Sequence, residues 1–112
     1  MTDPDRTDCP VARALDLLGD RWTLLIVRDL LLDGPRRFSD FARTVAGSSP
    51  SILSNRLKRL EQAGLIERRF YSQHPPRAEY LLTPEGESLG PVLAALRRFG
   101  ETLPDSGGPK RS

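Results

Sequence analysis

The most pointed chemistry in this sequence lies between Ser51 and Gln62. At 100° per residue, Ser51, Ser54, Asn55, Lys58 and Gln62 share one side of a helix, with Arg59 on the flank, while Ile52, Leu53, Leu57, Leu60 and Ala63 share the other. The polar side holds no acid along its centre, and Glu61 lies at its edge. Asn pairs bidentately with adenine, Arg and Lys with guanine, and Ser with a base edge or a phosphate, so this face suits the major groove of a duplex. An ordinary solvated helix mixes Glu with Lys or Arg as i,i+4 pairs. Arg56 sits beside the apolar stripe, which places its stem for burial and its guanidinium for either a phosphate or a helix-end carbonyl. On an isolated helix the same face is equally well a solvated surface. What favours a groove is the company it keeps.

Other cations flank that helix. Arg77 stands near Gln73 and His74 at the tip of an expected hairpin, where it contacts a DNA backbone or minor groove, or simply keeps the surface soluble. Arg36 and Arg37 precede Ser39 and either hold phosphate or pair with Asp40. From Arg36 to Arg77 there are nine cations and three acids, whereas the rest of the chain is net acidic. A basic middle on a neutral scaffold matches a nucleic-acid surface, and clustering in an Arg-rich chain gives the same count.

Enzyme chemistry has little to work with. The single histidine, His74, stands beside Pro75 and Pro76 with no Ser, Cys or carboxylate cluster near it, and one His with one Cys cannot build a zinc site. We expect no catalytic residue, no metal and no cofactor. Cys9 alone forbids an internal disulfide and fits a reducing cytoplasm. It falls at or just before a helix N-terminus, where the dipole favours thiolate and Asp8 opposes it. Its oxidation could join a second chain or a small thiol, or stop at sulfenic acid, so an oxidant or another small molecule is a candidate effector. A small half-buried structural residue is the competing reading.

The elements that must position these groups follow from period and punctuation. At 112 residues, with 38% hydrophobic and 29% charged residues, the chain has room for one core. No apolar run approaches a membrane span, and no signal peptide is expected at Met1. We expect an arm over 1–8, a domain over 9–103 and a disordered tail over 104–112. A first helix is expected from Pro10 to Leu18, with Val11, Ala14, Leu15 and Leu18 on one face and Gly19 as its stop. A buried second helix spans Trp22 to Leu32, closed by Asp33-Gly34-Pro35. Arg36-Arg37-Phe38 reads as extended. Ser39 is expected to cap a short third helix, Asp40 to Val45, that buries Phe41, Ala42 and Val45. Ser49 and Pro50 open the fourth helix, which Gly64 ends. Strands at 65–71 and 77–82 form a hairpin. A last helix from Glu85 to Gly100, kinked at Pro91, carries Leu89, Val92, Leu93, Leu96 and Phe99 on its apolar face. The fold class is mainly α with a small β-hairpin (α+β), a winged helix-turn-helix.

The ordered motifs resemble the HxlR family of winged helix-turn-helix transcriptional regulators. They are Cys9-Pro10-Val11, Ala14 to Gly19, Trp22 to Ile26, Arg36 to Ser39, Ser49-Pro50, Leu53 with Asn55-Arg56-Leu57, Leu60-Glu61, Gly64 to Arg68, Pro75 to Arg77, and Tyr80 with Leu82-Thr83-Pro84 and Gly86. Ser48 stands where the family has an apolar residue, and Ser51 where it often has a basic one. The resemblance implies a homodimer, joined through its first and last helices, that binds double-stranded DNA with inverted half-sites and controls a nearby promoter. Val11, Leu15, Leu89, Val92, Leu93, Leu96 and Phe99 are then the expected dimer contacts. The DNA contacts are Ser39, Ser51, Ser54, Asn55, Arg56, Lys58, Arg59 and Arg77, with Arg36 and Arg37. In some members the residue matching Cys9 senses oxidants.

Overall fold

The computed structural model describes residues 9–45 and 47–104. The expected arm, and all of the expected tail except Pro104, lie outside them. The described elements run α1 (Pro10–Leu18), α2 (Thr23–Asp33), α3 (Phe38–Thr44), α4 (Pro50–Gln62), β1 (Ile66–Gln73), β2 (Pro76–Leu82), α5 (Pro84–Glu87) and α6 (Gly90–Glu101). This is the expected helical domain with a hairpin wing.

The core forms where the apolar stripes of α2 and α4 face each other. Ile26, Val27 and Leu30 of α2, Phe41 of α3, Leu53, Leu57 and Leu60 of α4, and Val45 and Ile66 are all buried. Tyr80 packs edge-on against Phe41, with ring centroids 6.2 Å apart. Arg36 is extended, as expected. Its N–H donates to the Tyr80 carbonyl at 2.9 Å and its carbonyl accepts from Tyr80 at 2.7 Å. The segment before α3 thus joins the wing as a one-residue third strand.

Several local expectations fail. Ser39 does not cap α3. The helix begins two residues earlier, at Phe38, because the Asp40 carboxylate reaches back to accept the Arg37 N–H at 2.9 Å. Ala42 is exposed, since α3 is short and turns Phe38 and Phe41 inward. The last helix is two helices rather than one kinked rod. Pro91 has no N–H for the Glu87 carbonyl, and its ring would clash there, so α5 stops at Glu87 and Pro91 becomes the first-turn proline of α6. The hairpin strands also run further than expected and leave a turn of His74 and Pro75, joined by a cis peptide bond. A register shift between Phe70 and Ser72 leaves Tyr71 as a bulge.

The base of the wing is tied to the end of α4. Thr83 donates its hydroxyl to the Gly64 carbonyl at 2.6 Å and its N–H to the Leu65 carbonyl at 3.0 Å, and its Oγ accepts from Gly86 at 3.1 Å. Gly86 is buried so tightly that a Cβ there would collide with the Leu65 carbonyl oxygen. The wing therefore holds a set angle to α4.

Candidate nucleic-acid interface

α4 is built to show one face. Ser49 caps it by accepting the Ile52 N–H at 3.1 Å, and Pro50 supplies a preset first turn. Leu53, Leu57 and Leu60 anchor the inner stripe, and Ser51, Ser54, Asn55, Lys58 and Gln62 all point to solvent. Ala63, expected on the buried side, is exposed at the helix end. The turn before α4 is closed by Ser48, whose hydroxyl donates to the Val45 carbonyl at 2.9 Å. A hydrogen bond does there what an apolar side chain would do by packing. Gly47, at φ +86°, passes over the Trp22 ring in a backbone conformation that favours glycine.

The two arginines of α4 face inward. Arg56 Nε lies 3.1 Å from Asp20 Oδ1, an ion pair outside hydrogen-bond geometry, and its Nη1 donates to Asn55 Oδ1 at 2.6 Å. Arg59 Nη2 donates to the Asp16 carbonyl at 2.6 Å, and Nη1 stands 3.8 Å from Asp20 Oδ2. Of the protein partners open to Arg56, the structure does not take a helix-end carbonyl. It places the guanidinium on an acid of the α1–α2 corner. Asp20 was not among the expected site residues. It accepts from the Trp22 N–H at 2.8 Å, the Thr23 N–H at 3.0 Å and the Thr23 hydroxyl at 2.6 Å. An acid two and three residues before helical N–H groups is a readable cap signal, whereas its pairing with α4 is not. Burial pushes its pKa up, but these hydrogen bonds and Arg56 outweigh that and hold it at about 2.

The arginines before α3 are also engaged. Arg36 is largely buried and paired with Asp33, with Asp40 3.9 Å away. Arg37 is exposed, 3.7 Å from Asp40, which also takes Arg43 at 2.8 Å. Ser39 is exposed beside Arg37. On the wing, Arg69 pairs with Glu79 at 2.7 Å and Arg68 stands over Phe70. Among the described residues, Lys58 and Arg77 are exposed and enter no ion pair. Also unexpected is Asp29, buried on α2, which accepts from the Thr44 hydroxyl and from Arg28 at 3.0 Å and so fastens α3 to α2.

The expected dimer residues divide. Leu89 and Leu93 pack against their own core. Val11, Leu15, Val92, Leu96 and Phe99 are exposed, Val11 by 65% and Phe99 by 63%. Beside them a cleft of about 680 Å³ runs between α2 and α6, lined by Leu24, Leu25, Leu31, Leu32 and Leu96. Cys9 is half-buried at the start of α1. The described residues contain no cluster of three or more potential metal ligands and no helix long and apolar enough to cross a membrane.

Comparison with known proteins adds the following. A family model described as HxlR-like helix-turn-helix matches residues 17–106. Over 100 residues the chain is 45% identical to an HTH-type transcriptional regulator of Mycobacterium tuberculosis, a match covering 88% of this chain and 62% of that one. The redox regulator HypR in its oxidized form superposes with a TM-score of 0.79 at 34% identity, over 87% of this chain and 99% of that one. The reduced form of the transcriptional regulator YodB from B. subtilis gives 0.71 at 35% identity, over 89% and 98%.

The depressed pKa of Asp20 carries a stability consequence. A carboxyl held near 2 when folded and near 3.8 when unfolded stabilises the protein fully above about pH 4, and this is lost as the pH falls towards 2. Asp20→Asn should therefore melt below the parent at pH 6, and the gap between the two should close on acidification to pH 2. Melts followed by circular dichroism check this.

Proposed function

The chain belongs to the HxlR-like helix-turn-helix family and is a winged-helix transcriptional regulator, and from that premise we propose that it acts in the cytoplasm as a homodimeric repressor on an inverted-repeat operator. α4 enters the major groove and reads base edges with Ser51, Ser54, Asn55 and Lys58. Arg77 of the wing meets the backbone or the minor groove, and Arg37, with Ser39, lies along the neighbouring phosphates, which Arg36 reaches only by leaving Asp33. Arg56 and Arg59 reach the duplex only by leaving their partners on the α1–α2 corner. The observation that carries this reading is the outer face of α4, exposed along its length and free of acid at its centre. Two copies joined through α1 and α6 cover Val11, Leu15, Val92, Leu96 and Phe99, and set the half-sites about one helical turn, roughly 34 Å, apart. HypR is described as a redox regulator. Cys9, half-buried at the edge of the dimer surface, is the group through which an oxidant would act here.

Three measurements test these parts. Fragments selected from the source genome supply the operator. On it, Asn55→Ala should weaken binding by about 1–3 kcal/mol, while Arg77→Ala should weaken binding evenly across sequences and flatten the salt dependence. Unchanged affinity in Asn55→Ala would make this scaffold a protein-docking module instead. For assembly, the mass in solution should be twice 12.5 kDa, and Phe99→Asp should return a single chain. For regulation, peroxide should alter operator affinity in the parent and leave Cys9→Ser unmoved; equal responses would exclude the thiol.

A further inference from the structure

The reading face of α4 is supported from behind by a carboxylate whose position is fixed before α4 arrives. Both oxygens of Asp20 are committed to the start of α2. Oδ1 accepts from the Trp22 and Thr23 N–H groups, and Oδ2 from the Thr23 hydroxyl. The carboxylate therefore cannot swing out to follow a mobile arginine; the arginines come to it. The Arg56 side chain is 22% exposed there and the Arg59 side chain 37%, although both belong to the helix that carries the exposed Lys58. The Asp16 carbonyl at the end of α1 gives Arg59 a second anchor. Arg56 extends the chain of contacts outward by donating to Asn55 Oδ1. A guanidinium only donates, so this contact assigns the Asn55 amide: its oxygen lies towards Arg56, keeping one lone pair for a base, and its NH₂ is left for the groove.

We propose that Asp20 sets the specificity of DNA recognition: it holds the guanidinium groups of Arg56 and Arg59 on the protein, so that α4 meets a duplex with Ser51, Ser54, Asn55 and Lys58 and without two further phosphate-binding cations. This rests on α4 being the reading helix. The physical reason is a difference of affinities. Cations free to reach phosphate strengthen binding to every sequence alike, so withholding two of them lowers the non-specific background more than the operator complex. Asp20 is thus a positioning residue that acts through Arg56 and Asn55, and it touches no base itself.

The test is the salt dependence of binding to a mixed-sequence duplex, followed by fluorescence anisotropy with the full chain. Asp20→Asn keeps an oxygen for the Trp22 and Thr23 N–H groups and loses the charge. It should steepen the slope of log affinity against log salt by nearly two, about 0.9 for each released cation, so that its affinity falls about tenfold further than the parent's between 50 and 200 mM salt. Its ratio of operator to mixed-sequence affinity should drop. Asp16→Asn makes the same charge change one turn away and should move neither quantity. Equal steepening in both variants would show a general field effect and overturn the proposal, as would an unchanged slope in Asp20→Asn. Should Asp20→Asn fail to fold, Arg59→Gln decides. Its slope on the mixed-sequence duplex should match the parent's, and a slope shallower by about 0.9 means that Arg59 already sits on phosphate. Asn55→Ala, run alongside, separates the two ideas. Lost operator affinity there with no response to Asp20→Asn removes only the role of Asp20, whereas no loss in Asn55→Ala removes the reading surface itself.

Discussion

A helix that reads a groove must surrender one face wholly to its own protein, because the other face can bind nothing of its own before the duplex arrives. α4, which is such a helix on the proposed reading, meets that constraint with three leucines, Leu53, Leu57 and Leu60, pressed onto Ile26, Val27 and Leu30 of α2. Burying such side chains stabilises by roughly 1.5–3 kcal/mol each, which suffices to hold a helix whose outer surface makes few contacts. The rest of the fold serves the same end. Asp29 fastens α3 to α2, Ser48 closes the turn, and Thr83 and Gly86 lock the wing to the end of α4. The outer face of α4 is free because everything behind it is fixed.

The charge follows the same division. The basic middle of the chain suggests a broad cationic surface, but side-chain placement narrows it. Arg36 is spent on Asp33, Arg43 on Asp40, Arg69 on Glu79, and Arg56 and Arg59 on the α1–α2 corner. Lys58 on the helix and Arg77 on the wing stay outside these pairs, on two separate elements that would straddle a duplex. A protein that bound DNA mainly by charge would leave its arginines loose. This one ties most of them down, which on the proposed reading leaves hydrogen-bonding groups such as Asn55 and the serines a larger share of the contact.

What could be read from the sequence is what depends on period and on local caps. α4 and its two faces follow from a 3.6-residue repeat bracketed by Ser49-Pro50 and Gly64, and buried Leu53, Leu57 and Leu60 follow with them, whereas Ala63 falls at the exposed helix end. Arg36-Arg37-Phe38 reads as extended, but Tyr80, the partner of Arg36, lies more than forty residues on and no local signal names it. The start of α3 was misread because two good caps competed: Ser39 looks like a cap, but Asp40 reaches the Arg37 N–H from inside the helix. The break between α5 and α6 was misread because Pro91 is compatible with both a kink and a new first turn. Arg56 and Arg59 meet Asp20 across more than thirty residues, and no local rule carries that distance. A wheel could say only that Arg56 lay beside the stripe.

That long-range contact also joins the two ends of the functional reading. α1 carries Cys9 at its start, exposed Val11 and Leu15 along its length, and at its end the Asp16 carbonyl that receives Arg59 of α4. Asp20, two residues beyond Leu18, holds Arg56 of the same helix. A displacement of α1 must therefore either carry α4 with it or break a charge-assisted hydrogen bond and an ion pair. In the first case the reading face turns relative to the wing, whose angle is set independently through Thr83 and Gly64. In the second the arginines are released. Both change how the outer face of α4 is presented, and on the proposed reading the α1–α2 corner is where assembly or chemistry at the first helix would reach DNA binding.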